Sequence, residues 1–240
     1  GDWYSASVWK GPESIETSVS YLWKNAGRML AYGYGGWWFD MWGGWFSDPK
    51  LLSVLQKLNR LSKNFGNVSK NTSHVYQPEV AIVVDEKLPF YDASRGSITG
   101  SMLANRYALG NSGTSFDVFL RSDLDSLANK GYKVIWYLGL HDLMAQEKKR
   151  IQALQLETSI SLVTDPNGTD VYKRNRLERH AAGRVTWRPE DLRSVFSMAN
   201  VHLFSTQNDV IYAGNGWLTV HCKEAGGRKI SVPSAWKMVD

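Results

Sequence analysis

The 240-residue chain has one cysteine, Cys222. No disulfide can close within it and no thiolate cluster can hold a metal, so the fold must stand on its core. Long hydrophobic runs are missing too. None approaches the roughly 20 apolar residues that cross a bilayer, and no charged start leads into an apolar signal core. These absences predict a soluble chain with no membrane partner. Charge of one sign is scarce, since the formal net charge is only +5. Basic residues thicken between Lys148 and Arg193, in Lys148-Lys149-Arg150 and Lys173-Arg174-Asn175-Arg176. With no nucleic-acid-binding motif beside them, a solvated face is their expected role and no nucleic acid partner is expected. The chain opens with Gly1 in place of Met, which suggests an expression scar, a processed start or a piece of a longer protein.

What the chain has in plenty is aromatic side chains, including 11 Trp and 11 Tyr, within a hydrophobic content suited to a packed protein. They concentrate in Gly35-Gly36-Trp37-Trp38-Phe39-Asp40-Met41-Trp42-Gly43-Gly44-Trp45-Phe46. Indole faces stack on the C–H faces of a pyranose, a carboxylate accepts hydrogen bonds from its hydroxyls, and glycines clear space for the ring. A run of this kind is also what a buried aromatic strand looks like, but a carboxylate seldom goes inside unless it is paired or at work. The candidate sugar-binding residues are therefore Trp38, Asp40, Trp42 and Trp45, with Trp3 and Asp2 from the preceding loop.

Periodicity around this run predicts helix, strand, loop and helix. Pro12 to about Tyr32 carries Ile15, Val19, Leu22, Ala26 and Met29 at helical spacing, with Gly33 as the stop. A strand is expected over Trp37 to Met41. A second helix opens at Ser47-Asp48-Pro49 and places Leu51, Leu52, Leu55, Leu58 and Leu61 on one face. This order is that of the tail of a β/α-barrel, whose functional loops follow its strands. Residues 1–66 are accordingly read as the C-terminal units of a barrel.

The polar stretch Phe65 to Gln77 marks a boundary. Strand-like Glu79 to Asp85 follows, then helical spacing near Ser101 to Leu109, a short strand Phe116 to Leu120 and a short helix from Ser122 to Gly131. A strand over Tyr132 to Leu140 and a helix over Met144 to Leu156 complete the alternation. Residues 78–188 thus read as an α/β domain with an open doubly wound sheet, similar to flavodoxin or amidotransferase folds. Asp85 leads into Glu86-Lys87-Leu88-Pro89, where a phosphate loop would need glycines, and Cys222 lacks the strand-to-helix setting of an amidotransferase nucleophile. No cofactor is expected.

Residues 189–240 read as a small antiparallel β domain built from Val201 to Phe204, Asp209 to Ala213, Trp217 to His221 and Lys229 to Val232. His202 and His221 have no carboxylate or thiolate at ligand spacing, so no metal is expected.

Three stretches together resemble the C-terminal part of a β-galactosidase-like glycoside hydrolase of family forty-two. Gly35 to Met41 with Gly44-Trp45-Phe46 looks like the last barrel strand and its loop. Glu79-Val80-Ala81-Ile82-Val83-Val84-Asp85-Glu86 looks like the first strand of the family's amidotransferase-like trimerisation domain. Leu192-Arg193 and Ala199 to Phe204, followed by Asp209 to Ala213, look like its final β domain. Ser159 to Arg188 matches no motif.

The resemblance implies a homo-oligomer, a trimer, and a retaining hydrolase acting on β-galactoside-like sugars. One carboxyl would serve as acid/base and a second as nucleophile about 5 Å away. Those glutamates belong on earlier barrel strands and are expected upstream of Gly1. The chain is thus expected to supply a carbohydrate-binding wall without catalytic residues of its own. A non-catalytic carbohydrate-binding or structural protein is the alternative.

Overall fold

The computed structural model describes residues 13–40, 43–44, 46–68, 76–91, 105–140, 142–164, 170–172 and 187–233. The fold is mixed α/β, with four parallel strands in one sheet and a separate two-stranded sheet. The chain divides into two compact units: one runs up to Gln77 and takes in Tyr212–Cys222, the other takes Pro78–Ile211 and continues from Lys223.

In the first unit, helix α1 (Ile15–Tyr32) is capped by Ser14, whose Oγ accepts the Thr17 N–H at 3.1 Å. That side-chain acceptor sets the helix start at Ile15 rather than at Pro12, which lies outside the described residues. Gly33 ends the helix with φ 70° and donates its N–H to the Met29 carbonyl, as the periodicity predicts. Helix α2 (Pro49–Val68) starts after Asp48, whose Oδ1 accepts the Lys50 N–H at 2.8 Å.

The two helices share a core of Leu22, Ala26, Phe46, Leu51, Val54 and Leu58. Leu52, expected on that face, is exposed; Val54 takes the inward place, because 51, 54 and 58 keep the 3-4 spacing that Leu52 breaks.

Between the helices, residues 34–40 form no strand. The expected strand Trp37 to Met41 is absent over residues 37–40, and Met41 lies outside the described residues. Strand geometry is held by a neighbour that takes the backbone hydrogen bonds, and no described strand pairs with this segment.

Strands β6 (Val210–Gly214) and β7 (Trp217–His221) make a hairpin turning on Asn215-Gly216, with φ 48° and 73°. Two successive positive φ values match the right-handed twist of the flanking strands. The hairpin packs on α1 through glycines. A Cβ at Gly27 would overlap the Thr219 side chain, and one at Gly214 would overlap the Ala31 carbonyl.

The second unit is organised by β1 (Val80–Val84), β2 (Asp117–Leu120), β3 (Val134–Leu138), β4 (Ile160–Thr164) and β5 (Asp170–Tyr172). Their order is β2-β1-β3-β4-β5, with β5 antiparallel and the rest parallel. Register pairs Ala81 with Asp117, Val80 with Val134, and Val134 with Ile160.

Alternate side chains face opposite layers. Val80, Ile82, Val134, Trp136 and Leu138 meet α6 (Pro189–Met198) through Leu192, Val195 and Phe196, and meet α4 (residues 105–110) through Ala108 and Leu109. Ala81, Val83, Ile135 and Tyr137 meet Ile151 and Leu154 of α5 (Ala145–Glu157), and Leu124 and Leu127 of a 3-10 turn, Arg121–Leu127. Burial on both sides explains the near-continuous apolar runs of β1 and β3.

Several local expectations change. The short helix expected from Ser122 is the 3-10 turn, and α3 (Leu88–Tyr91) is a single turn after β1. Strand β4 lies in the stretch that matched no motif. Residues 189–198, expected within a β unit, are helical. Pro189 opens α6, and Glu190 and Asp191 sit in the first turn, where the helix dipole favours acids. Neither 201–204 nor 229–232 is a strand. Their backbone groups bond as loops instead, with Phe204 N–H donating to the Gly113 carbonyl at 2.8 Å and Ser231 N–H to the Phe204 carbonyl at 2.9 Å.

Candidate functional site

The aromatic segment leaves α1 at Gly33 and reaches α2 through Phe46. Exposure along it alternates. Trp37 is 83% exposed and Phe39 54%, whereas Trp38 and Asp40 are half-buried. Trp38 packs on the α1–α2 core, its ring meeting Phe46 edge-on at a centroid distance of 6.4 Å. Of the residues proposed from sequence, Trp38 and Asp40 are thus turned toward the body of the first unit, while Trp42, Trp45, Trp3 and Asp2 lie outside the described residues. Around the segment the ground is open, since a Cβ at Gly35, Gly43 or Gly44 would meet nothing within 4 Å.

Within the second unit, the carboxyl ends of the parallel strands carry a different arrangement. Ligands of open parallel sheets bind outside these ends, where the strand order reverses, here between β1 and β3. Arg121, which follows β2, is buried there. Its Nη1 donates to Asp85 Oδ2 at 3.0 Å, and its Nε and Nη2 grip both oxygens of Glu147 at 2.7 and 2.6 Å. Nη2 also donates to the Asp142 carbonyl at 3.0 Å. Glu86 accepts the N–H groups of Arg121 and Ser122 at 2.9 and 3.3 Å.

One guanidinium therefore ties the end of β1, the loop after β3 and the first turn of α5. The bidentate bond from Arg121 holds the Glu147 carboxyl below the usual range, and the same bond raises Arg121 further. Sequence reading reached Asp85 as a carboxylate at a strand end but missed Arg121 and Glu147. No motif spacing links those two.

A polar cavity of about 390 Å³ lies against α6, lined among others by Glu190, Arg193, Asn208, Asp209 and Arg228. Its charges serve each other. Arg228 Nε meets Asp209 at 2.6 Å, and Arg193 donates to Asn208 at 2.9 Å and to Glu190 at 3.3 Å.

His202 Nε2 stands 3.0 Å from the Ser231 carbonyl, and His221 lies beside the Tyr21 ring, 6.4 Å between centroids. Among the described residues no three of His, Cys, Asp and Glu gather as a metal site, and no helix is long and apolar enough to cross a membrane. No family model, curated protein or solved structure matches the chain.

Proposed function

We propose that this chain belongs to a retaining, β-galactosidase-like glycoside hydrolase, in which residues 34–46 form an aromatic and carboxylate wall for the sugar. The observation that carries the reading is the exposed Trp37 and Phe39 alternating with half-buried Trp38 and Asp40 on glycine-cleared ground. Large exposed aromatic surface is uncommon unless something covers it, and sugar C–H faces are a natural cover. Asp40 would accept hydroxyl hydrogen bonds, and stacking on indole would set the ring's orientation. No residue of this segment is assigned proton transfer or nucleophilic attack.

In the same reading the parallel sheet is an amidotransferase-like, doubly wound domain used for assembly. Its β2-β1-β3-β4 order and its layers on both faces support that comparison. The Arg121 cluster in its crevice favours a structural use over cofactor binding. Light scattering should then give a mass near three times 27.1 kDa.

Calorimetric titration of the chain with β-galactosides tests the carbohydrate part. Asp40→Ala should weaken binding at least about tenfold, equivalent to about 1.4 kcal/mol, with an unchanged melting curve. Absence of binding to any glycoside overturns the proposal. Binding by the whole protein without hydrolysis of any aryl glycoside would favour the non-catalytic carbohydrate-binding alternative.

A further inference from the structure

Resting on the carbohydrate reading, we infer that the outer face of the aromatic segment, Trp37 with Phe39, is a second platform that takes an extended oligosaccharide rather than a single sugar. Four successive residues alternate between exposed and half-buried, so the segment has two faces. The inner one carries Trp38, anchored against Phe46, and Asp40. The outer one carries Trp37 and Phe39, 83% and 54% exposed, and Tyr34 before them is exposed as well. One pyranose cannot lie against both faces at once.

The outer face is also open. A Cβ at Gly35, Gly43 or Gly44 meets no atom within 4 Å, so no wall rises at these positions to enclose a terminal sugar. An open aromatic face holds a ligand only by stacking, and each exposed stack is weak. Side chains two residues apart in an alternating segment stand roughly 6.6 Å apart along the chain, which suits a ligand with repeating rings that meets both. The chemistry of the face is aromatic throughout. From Gly33 to Asp40 the sequence has no Leu, Ile, Val or Met, the aliphatic anchors that a protein partner would use.

The test compares galactose with a β-linked galactotetraose by calorimetry on the full chain and on Trp37→Ala, Trp37→Phe and Phe39→Ala. The expected result is tetraose binding at least about tenfold tighter than galactose. Trp37→Ala and Phe39→Ala should erase that advantage while leaving galactose affinity unchanged, and Trp37→Phe, which keeps a stacking ring, should restore most of it. Galactose and tetraose binding equally, with Trp37→Ala silent, overturns this inference and leaves the inner wall standing. If neither sugar binds, the carbohydrate reading falls and takes this inference with it. If Trp37→Ala instead lowers the mass seen by light scattering with sugar affinities unchanged, the face is an interface between copies and the inference is overturned.

Discussion

Arg121 Nη1 stands 3.0 Å from Asp85 Oδ2, with side chains 7% and 1% exposed, so a full charge pair is buried at the carboxyl edge of the parallel sheet. Burying two charges costs more than their attraction returns unless further hydrogen bonds complete the set. Glu147, the Asp142 carbonyl and the short backbone bonds around Glu86 supply them. Removing the guanidinium alone leaves Asp85 desolvated. Arg121→Ala should therefore destabilise the protein by about 3–5 kcal/mol in urea unfolding, with added guanidinium ion restoring part of the loss. A change under about 1 kcal/mol would mean that the cluster is open to water.

Acid unfolding should pass through Glu147. Its carboxyl is held below the ordinary value of 4.5, first by the Arg121 hydrogen bond. A carboxyl depressed in the folded state contributes stability that is present above the unfolded value and is lost as pH falls through the folded one. Asp117 works in the opposite sense. Burial raises it above 3.8, against the opposing hydrogen bond from the Tyr132 hydroxyl at 2.7 Å. Its contribution is present below 3.8 and declines as pH rises through the raised value. Glu147→Gln should flatten the loss of stability below about pH 4.5. Asp117→Asn, which keeps an acceptor for Tyr132, should leave neutral-pH stability equal or higher. Chemical denaturation between pH 3 and 7, about the span of carboxylate titration, reads both.

Gly27 is a packing requirement. Alanine has the better helix propensity by about 1 kcal/mol, yet its Cβ would enter the volume of Thr219, whose Oγ1 also accepts the Trp217 indole N–H at 2.7 Å. Gly27→Ala should cost about 1–3 kcal/mol net. Combined with Thr219→Ala, the total should fall short of the sum of the two single changes, because the second opens room for the first. Strict additivity would remove the contact from the explanation.

Tyr137 carries a buried hydroxyl with no hydrogen-bond partner among the described residues. Burial pushes its ionisation up, and an unsatisfied buried group costs about 1–3 kcal/mol. Tyr137→Phe keeps the ring in the core and discards the cost, so the melting temperature should rise. A clear fall would show that the hydroxyl does have a partner.

Local signals were legible in the sequence where one element suffices to create them. The α1 stripe, its Gly33 stop, the Asp48-Pro49 opening and the apolar runs of β1 and β3 follow from periodicity and capping within a few residues. The expected strand at Trp37 to Met41 did not form over its described residues, because strand geometry depends on a neighbour that periodicity cannot supply. Strand β4 went unread inside a stretch without a motif, although its Ile160 and Leu162 are core residues. Helix α6 was taken for part of a β unit, despite a proline and two acids in its first turn.

Composition and spacing by themselves determined that the chain builds an α/β protein, that helices flank an aromatic, glycine-bordered segment, and that Asp85 ends a buried strand. These depend on interactions within a turn or a strand, where sequence neighbours are spatial neighbours. Only the tertiary structure decided that Trp37 faces outward while Trp38 faces the core, and that Arg121 crosses 36 positions to close the crevice beside Asp85. Such choices follow from which distant surfaces exclude water together, and no local pattern encodes that pairing.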